Sequence, residues 1–319
     1  MLTENQIMQT WKNSEPILVS ITSIAYNQEN YIKDAIHGFL IQETNFPFEI
    51  IIHDDASSDN TAKIIKEYAE QYPKLIKPIF QITNQHSQGA NVQSIPVKYA
   101  KGKYVALCDG DDYWIDPHKL QKQIDALREY PTCQICFHSS REIISDNADF
   151  TSNILAQHTN QNKLFTTKDI ILGDGGFCPT PSLILNKRVF DTLPAWFYNA
   201  PIGDYFLQIL ASYAGGALYL NEPMTAYRRN AIGSWSQQIN DLNFLLDWHQ
   251  RLIQSMDYAN EHTMKEFNKE FTTMQKRFNS WIIKNKKIPV NKRHEIFKTY
   301  NNKISIKEKF FWFCVYQFL

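Results

Sequence analysis

The chain has 319 residues, of which 43% are hydrophobic and 21% charged. This composition is typical of globular proteins and excludes a disordered chain, a collagen and a small disulfide-stabilised protein. Its 33 basic and 33 acidic residues cancel, so the chain lacks the basic excess of most nucleic-acid-binding proteins, and we expect no nucleic acid as a partner. The charges are nevertheless segregated, with a net charge of −9 over residues 1–264 and +9 over residues 265–319, which indicates an anionic contact surface for the basic segment.

Apolar strands alternate with amphipathic helices through the first part of the chain. Asp59 is the expected N-cap of one of these helices. Strand–helix repeats joined by short polar links are typical of an α/β fold with a mostly parallel sheet. The patterns predict strands at 17–25, 48–53, 75–82 and 103–108 and helices at 31–43, 61–72, 95–100 and 119–129.

The remainder of the chain is less regular and ends in a basic segment. Beyond residue 242 the pattern is helical and increasingly basic. We therefore expect one main domain over residues 1–240 and a basic helical extension over residues 241–319. Before the extension, the sequence predicts a strand at 134–138, an irregular polar segment at 145–163, an extended segment at 177–185, a helix at 205–214 and a strand at 217–220.

The cysteine count and the N-terminal sequence indicate the compartment. Five widely spaced cysteines form an odd number, which favours a reducing compartment over a disulfide framework. The N-terminal residues contain no basic segment followed by an apolar run, so no secretory signal is visible. We therefore expect a cytoplasmic protein.

Two acidic clusters follow predicted strands, Asp54-Asp55 and the segment Asp109–Asp112. In parallel α/β sheets, ligands bind at the carboxyl ends of the strands, where both clusters would lie. Neighbouring carboxylates repel unless a cation or hydrogen-bond donors compensate, and Mg²⁺ or Mn²⁺ prefers carboxylates together with phosphate oxygens. A solvated acidic turn is the structural alternative, but the shared placement of the two clusters favours a metal–nucleotide site.

Five segments in order resemble glycosyltransferase family 2, whose members are nucleotide-sugar-dependent transferases. The resemblance covers about residues 16–236. It implies a GT-A fold, that is, a Rossmann-like, mostly parallel sheet flanked by helices, here with a C-terminal helical extension after a catalytic domain over residues 1–240. The segments are VSITSIAYNQENYI (19–32), FEIIIHDDASSDNT (48–61), GKYVALCDGDDYW (102–114), GDYFLQ (203–208) and YRRNAIGSWS (227–236).

The resemblance implies a nucleotide site after the first two strands. Ala25, Tyr26 and Asn27 match the turn in which the family's aromatic residue stacks on the base, with Ile24-Ala25 where the family has Pro-Thr. Asp55 matches the carboxylate that accepts a hydrogen bond from the base imide N–H. Because such an acceptor suits uracil or thymine better than adenine, we expect a UDP-sugar donor.

The resemblance also implies a metal and diphosphate site. Asp111 would face the ribose, Asp112 would ligate Mn²⁺ or Mg²⁺, and Asp109 opens the metal motif and helps to orient it. Arg228 and Arg229 lie in a predicted loop after the last strand and would contact the diphosphate.

Two residues are implied on the acceptor side. Asp204 matches the general base of inverting members, which takes a proton from the acceptor hydroxyl; capping of the helix that follows it is the structural alternative. Trp235 would contact a sugar through its apolar face, or pack as a lid residue on the body of the protein.

The basic extension ends in an aromatic segment. Nine of the ten residues from Phe310 to Leu319 are apolar or aromatic, and nine Lys or Arg residues precede them from Lys284 to Lys309. This arrangement is typical of a peripheral anchor on an anionic membrane, here the inner face of the plasma membrane. Packing of the segment on the body or on a second subunit of a homo-oligomer is the alternative.

The sequence as a whole favours an inverting, metal-dependent glycosyltransferase that extends a surface glycan or a lipid-linked acceptor. A sugar-phosphate nucleotidyltransferase is one alternative, but such enzymes usually carry a Gly-rich basic loop after the first strand, where this chain has AYNQENY. A non-catalytic nucleotide-sugar-binding protein of the same fold is the other alternative.

Overall fold

The described residues of the computed structural model, 2–11, 15–144, 150–229, 231, 241–304 and 309, form an α/β fold around one mixed sheet. The strand order is β3-β2-β1-β4-β9-β6-β10-β5, with β7 paired to β6 and β8 paired to β10. The strands are β1 Val19–Ala25, β2 Phe48–Asp54, β3 Ile76–Phe80, β4 Tyr104–Leu107, β5 Tyr113–Trp114, β6 Ile135–Ile144, β7 Phe150–Leu155, β8 Lys163–Phe165, β9 Ile184–Asn186 and β10 Ala217–Arg229.

Helices flank the sheet and follow most of the predicted positions. The helix predicted at 119–129 has these same bounds in the structure. The helices are α1 Glu4–Met8, α2 Ile32–Leu40, α3 Thr61–Gln71, α4 Ser94–Val97, α5 Lys119–Glu129, α6 Thr167–Leu172, α7 Arg188–Asp191, α8 Gly203–Ser212, α9 Leu242–His262, α10 Asn268–Lys284 and α11 Val290–Thr299.

Strands β3, β2, β1 and β4 run parallel to one another. The apolar runs of β1, β2 and β4 are largely buried because helices cover both faces of a parallel sheet; every residue of β2 is buried. Ala25 pairs with Asp54 at the carboxyl ends of β1 and β2. The loops that follow β1, β2 and β4 therefore emerge at one edge of the sheet, as the sequence predicts.

The alternation of side chains along β4 divides the core into two clusters. Val105 and Leu107 pack in the cluster that contains α8, whereas Tyr104 and Ala106 pack in the cluster that contains α2 and α5. Successive side chains of a strand point to opposite faces, which explains the division.

The C-terminal helices pack against the catalytic body. Trp248 and Leu252 of α9 and Phe271 of α10 belong to the same hydrophobic cluster as Phe206 of α8. The described part of the extension therefore shares its core with the sheet, and the boundary at residue 240 stays a prediction. None of the described helices is long and apolar enough to cross a membrane.

Two predictions about the second half of the chain are wrong. The segment 145–163, predicted to be irregular, contains β7, which pairs antiparallel with β6. The strand predicted at 217–220 continues to Arg229. Asn221-Glu222-Pro223 favours a strand end in the sequence, but a register shift between Leu220 and Thr225 accommodates it. Arg228 and Arg229 therefore lie at a strand end and not in a loop after it.

Two smaller predictions differ from the structure as well. Asn60, not Asp59, is the N-cap of α3, although Asp59 Oδ1 still accepts the Thr61 N–H at 2.9 Å. The segment predicted to be extended at 177–185 contains a 3-10 turn, Thr180–Ser182, before β9. Prolines on either side of Thr180 favour the turn, because each fixes its own φ angle near the helical value.

Candidate active site

The loops after β2 and β4 are both hydrogen-bonded to the end of β1. The Asp55 N–H donates to the Ala25 carbonyl at 2.9 Å, and the Gly110 N–H donates to the Ile24 carbonyl at 2.9 Å. A Cβ at Gly110 would lie 2.4 Å from Gln28 Oε1 and 3.2 Å from the Ile24 carbonyl oxygen. A side chain larger than hydrogen would therefore displace the Gln28 side chain and shift the loop slightly, so glycine favours this close approach of the acidic loop to the predicted nucleotide site.

The turn after β1 exposes an aromatic ring and fixes a neighbouring loop. Tyr26 is 46% exposed, so its ring face is accessible for the predicted stacking on a base. Asn27 has a positive φ of 51°. Its N–H donates to Ser57 Oγ at 2.9 Å, and its Oδ1 accepts the Ser58 N–H at 2.8 Å. Asn27 therefore holds the turn against the loop that follows β2.

Asp55 organises a second loop that the sequence analysis missed. Its side chain is buried, and its two carboxylate oxygens accept the N–H groups of Gln85 and His86 at 2.7 and 3.0 Å. The Asn84 amide donates to the Asp55 carbonyl at 3.2 Å. Because a carboxylate oxygen has two lone pairs, Asp55 retains acceptor capacity for a base N–H. The contact with a base stays a prediction.

The acidic loop after β4 places several carboxyl groups close together in a buried environment. Burial, followed by the nearby Asp111 and Asp204 carboxylates, raises the pKa of Asp109 to about 8. Burial, followed by the neighbouring Asp111, raises the pKa of Asp112 well above its usual range. Carboxylates in such surroundings are stabilised by a cation.

Asp204 lies on the first turn of α8, almost 100 residues after the acidic loop in sequence, and yet its charge acts on Asp109. One carboxylate oxygen accepts the Thr180 hydroxyl at 3.1 Å, and the other accepts the Tyr205 N–H at 2.8 Å. Burial raises the pKa of Asp204, and these two hydrogen bonds oppose the rise. The fold thus brings the predicted base to the predicted metal loop.

Tyr227 is a site residue that sequence reasoning missed. Burial raises the pKa of its phenol, and the charges of all four site carboxylates raise it further. The side chain therefore faces the acidic cluster from β10. The sequence offered one signal, the position of Tyr227 next to Arg228 in a segment that matches the family. Successive side chains of a strand point to opposite faces, so Tyr227 and Arg228 can approach the acidic cluster from different sides. The carboxylates that act on it are Asp112, Asp111, Asp204 and Asp109.

Arg228 is buried and holds the acidic loop. Its N–H donates to Asp112 Oδ1 at 2.7 Å, and its Nε donates to the Asp111 carbonyl at 2.8 Å. Its Nη2 pairs with Asp34 at 2.9 Å, and the guanidinium lies 4.7 Å from the centre of the Tyr31 ring. These contacts place Arg228 behind the loop, and its contact with a diphosphate stays a prediction.

Arg229 is on the opposite side of β10 from Arg228. Its side chain is 54% exposed and pairs with Glu142 on β6. The two arginines therefore do not form one surface, whereas the sequence predicted that both lie in one loop that contacts the diphosphate. Trp235, the predicted acceptor or lid residue, lies outside the described residues.

The acidic residues fit a divalent cation that is held jointly with phosphate. Among the described residues, no group of three or more His, Cys, Asp or Glu side chains could hold a metal ion by itself. Mg²⁺ and similar cations commonly take one or two carboxylates and complete their shell with water and phosphate oxygens. Asp109 and Asp112 can supply those carboxylates, and their raised pKa values indicate that a cation would stabilise the charged forms.

The motifs of this site can be compared with known families. The model of the family described as glycosyl transferase family 2 matches residues 20–193, more than half of the chain. The chain belongs to this family. The family prediction is confirmed, and membership of a family of sugar-transferring enzymes favours a glycosyltransferase over the nucleotidyltransferase alternative.

Relatives with similar sequences are bacterial. An uncharacterized protein of Mycobacterium tuberculosis is 40% identical over 227 residues, which cover 70% of this chain and 62% of that protein. The UDP-Glc:alpha-D-GlcNAc-diphosphoundecaprenol beta-1,3-glucosyltransferase WfgD of Escherichia coli is 34% identical over 149 residues, which cover 46% of this chain and 54% of that protein. The chain thus spans 62% or less of the length of these two relatives.

Solved structures share the fold. S. aureus TarS 1-349, in complex with UDP-GlcNAc, has a TM-score of 0.56 and 16% identity, with coverage of 90% of this chain and 72% of that chain. The mannosyltransferase PcManGT from Pyrobaculum calidifontis, in complex with GDP-Man and Mn²⁺, has a TM-score of 0.58 and 13% identity, with coverage of 96% and 81%. At these identities the likeness concerns the fold alone, and it confirms the predicted GT-A architecture.

Proposed function

We propose that this chain is an inverting, metal-dependent glycosyltransferase that moves a sugar from a UDP-sugar to an acceptor hydroxyl. The observation that carries the proposal is the position of Asp204 beside the acidic loop, where its charge acts on Asp109. A base near a cation-binding loop is the arrangement that sugar transfer from a nucleoside diphosphate requires.

The donor would lie along the carboxyl edge of β1, β2 and β4. Tyr26 offers an exposed ring to the base, and Asp55 offers a buried acceptor whose orientation is set by two N–H groups. Asp109 and Asp112 would hold Mn²⁺ or Mg²⁺, and Asp111 would face the ribose. A bound cation stabilises the negative charge that develops on the diphosphate leaving group.

Asp204 would act on the acceptor. As the acceptor oxygen bonds to the anomeric carbon, its proton moves to the Asp204 carboxylate, and the electron pair of the glycosidic bond leaves with the nucleoside diphosphate. Attack opposite the leaving group inverts the configuration at the anomeric carbon. Burial raises the pKa of Asp204, which makes its ionised form a stronger base than an exposed aspartate.

The acceptor and the location are finer parts of the proposal. The printed name of WfgD describes transfer to a sugar on diphosphoundecaprenol, which supports a lipid-linked or surface-glycan acceptor here. The +9 net charge of residues 265–319 supports contact with the anionic cytoplasmic face of a membrane. The aromatic segment 310–319, which we propose as the anchor, lies outside the described residues.

Calorimetric titration with UDP, with and without Mn²⁺, tests the nucleotide and metal site. We expect Mn²⁺-dependent binding that is weakened at least about tenfold in Asp112→Asn, because one carboxylate ligand is lost. Asp125→Asn is the matched control, since Asp125 is exposed on α5 and pairs only with neighbours on that helix. UDP binding that is equal without Mn²⁺ and unchanged in Asp112→Asn would overturn the assignment.

The same titration with GDP and dTDP tests the preference for the base. We expect UDP and dTDP to bind more tightly than GDP, because Asp55 can accept the imide N–H that uracil and thymine share. Equal loss of UDP and GDP affinity in Asp55→Asn would contradict this role.

A further inference from the structure

A buried segment, residues 178–182, runs beneath Asp204 and is held by side chains from three other elements. The segment contains the 3-10 turn Thr180–Ser182 and leads into β9. Cys178 and Ser182 at its ends are fully buried. Three of its carbonyl oxygens accept side-chain donors: Cys178 from Gln208 Nε2 at 3.0 Å, Pro181 from Trp114 Nε1 at 3.0 Å and Ser182 from Gln123 Nε2 at 2.8 Å.

Thr180, in the middle of this segment, contacts the proposed base. It is 9% exposed, and its hydroxyl donates to Asp204 Oδ2 at 3.1 Å. The Tyr205 N–H donates to the other oxygen, Oδ1, at 2.8 Å. Thr180 and Tyr205 thus donate to different carboxylate oxygens, and because a carboxylate oxygen has two lone pairs, each oxygen can accept more than one donor.

Two donors on different oxygens determine the rotation of the carboxylate. The torsion between Cβ and Cγ of an aspartate has a broad energy minimum, so the Tyr205 N–H alone would leave that rotation poorly defined. Thr180 is β-branched and stiff at χ1, and its backbone is anchored on both sides. The second donor is thus a fixed one.

We propose that Thr180 is a positioning residue that orients the Asp204 carboxylate toward the acceptor hydroxyl. This inference rests on the proposed role of Asp204 as the base. A misplacement of about 1 Å between reacting groups can lower a rate about 100-fold, so a donor that sets the orientation of the base has a kinetic consequence. The second carboxylate oxygen, whose donor is a backbone N–H, would remain held in every Thr180 variant.

A double-mutant cycle tests the inference. Thr180→Val, which is nearly isosteric and lacks the hydroxyl, is compared with Thr180→Ser, Asp204→Asn and Thr180→Val/Asp204→Asn. Transfer from UDP-glucose and UDP-GlcNAc to a synthetic lipid-linked GlcNAc diphosphate is the activity assay, and thermal melting checks that each variant folds.

We expect Thr180→Val to lower kcat about 10- to 100-fold and to leave the KM for the donor nearly unchanged. Thr180→Ser restores most of the activity, because it keeps the hydroxyl. In the Asp204→Asn background, Thr180→Val lowers kcat no further, since a residue that acts through Asp204 has no effect once the base is absent. A merely structural role predicts independent, multiplicative losses and no rescue by serine.

The outcomes separate this inference from the proposed function. Wild-type kcat in Asp204→Asn would overturn the base assignment and the inference with it. A large loss in Asp204→Asn, together with wild-type kcat in Thr180→Val or multiplicative losses in the double variant, would overturn the inference alone. A crystal structure of Thr180→Val is a readout that needs no acceptor: we expect a rotated Asp204 carboxylate on an unchanged backbone, and an unrotated carboxylate would contradict the proposal.

Discussion

The proposed donor half and the proposed acceptor half of this site are built in different ways. In the donor half, loops follow three neighbouring parallel strands, and backbone hydrogen bonds tie the loops after β2 and β4 to the end of β1. In the acceptor half, Asp204, Thr180 and Tyr227 come from a helix, a 3-10 turn and the strand β10. Thr180 donates a hydrogen bond to Asp204, and the charge of Asp204 acts on Tyr227. We therefore expect substitutions in the donor half to alter nucleotide binding and substitutions in the acceptor half to alter turnover.

The largest expected effect separates the two halves directly. Asp204→Asn should lower the transfer rate about 10²- to 10⁴-fold, the usual contribution of a general base. The affinity for UDP in the presence of Mn²⁺ should stay within about twofold, because Asp204 is assigned to the acceptor. Steady-state kinetics and calorimetry measure the two quantities, with Asp125→Asn as the control. A loss of UDP affinity as large as the loss of rate would remove the distinction between the halves.

A substitution at the junction of two donor loops should have the next largest effect. In Gly110→Ala the added Cβ would meet Gln28 Oε1 and the Ile24 carbonyl, so we expect the Gln28 side chain to turn away and the acidic loop to shift slightly relative to β1. We expect UDP affinity to fall about tenfold and the free energy of unfolding to fall by about 1–3 kcal/mol, as for other overpacked sites.

Gly176→Ala is the control for that substitution. Its Cβ would lie 3.4 Å from Asp174 Oδ1, which is an ordinary contact. The control should bind UDP like the wild type. Equal behaviour of the two variants in calorimetry and urea denaturation would indicate that the link between the β1 and β4 loops does not organise the donor half.

The two adjacent arginines should differ in effect. Arg228→Lys loses the fork that joins Asp34 to the Asp111 carbonyl, and lysine cannot reproduce this planar geometry. We expect UDP affinity to fall about three- to tenfold. Arg229→Lys should change it less than twofold, because a largely exposed ion pair contributes only about 0–1 kcal/mol. Similar losses in both variants would instead support a shared basic surface on the diphosphate.

The last prediction concerns stability and not ligand binding, and it involves a buried lysine where the two halves meet. Lys119 Nζ donates to Gln123 Oε1 at 2.8 Å and lies 4.0 Å from the centre of the Trp114 ring; both partners also hold residues 178–182. Burial lowers the pKa of Lys119 to about 7. Between that value and the ordinary lysine pKa, the Lys119 site binds more protons in the unfolded chain than in the native state, so the contribution of Lys119 to stability should rise with pH from about 7 to 10. The raised pKa values of Asp109 and Asp112 act in the opposite direction, so the contribution is measured against a variant that lacks this lysine.

Urea denaturation at pH 7 and pH 9 measures this dependence. The stability of the wild type relative to Lys119→Met should rise between the two pH values, whereas its stability relative to Lys66→Met, a change at an exposed residue of α3, should stay nearly constant. A stability difference between the wild type and Lys119→Met that falls or stays constant over this interval would show that Lys119 does not contribute to the dependence.

Much of the donor half could be predicted from the sequence because each loop there follows directly from its own strand. The β-branched runs of β1 and β2, the short polar links and the acidic residues after them are local features. Since parallel strands end at one edge of a sheet, the meeting of Ala25 with Asp54 and Asp55 follows from local patterns alone. The contact of Asp55 with the 84–86 loop could not be foreseen, because backbone N–H donors have no sequence signature.

The acceptor half depended on contacts that no local pattern encodes. The polar segment 150–155 becomes a strand only because β6 supplies its hydrogen-bond partners, and β10 continues past Pro223 only because a register shift accommodates it. That continuation carries Tyr227 to the four carboxylates and separates Arg228 from Arg229.

The sequence by itself determined the family, the α/β architecture and the identity of the acidic residues, and it placed a net charge of −9 on residues 1–264 and +9 on residues 265–319. Strand, turn and motif patterns involve residues close together in the chain, so they can be recognised from the sequence alone. Only the tertiary structure decided that the charge of Asp204 acts on Asp109, that the Thr180 hydroxyl donates to Asp204 and that Arg228 contacts the acidic loop. These contacts join residues that are distant along the chain. The burial that strengthens these contacts and shifts the pKa values arises only when the chain folds.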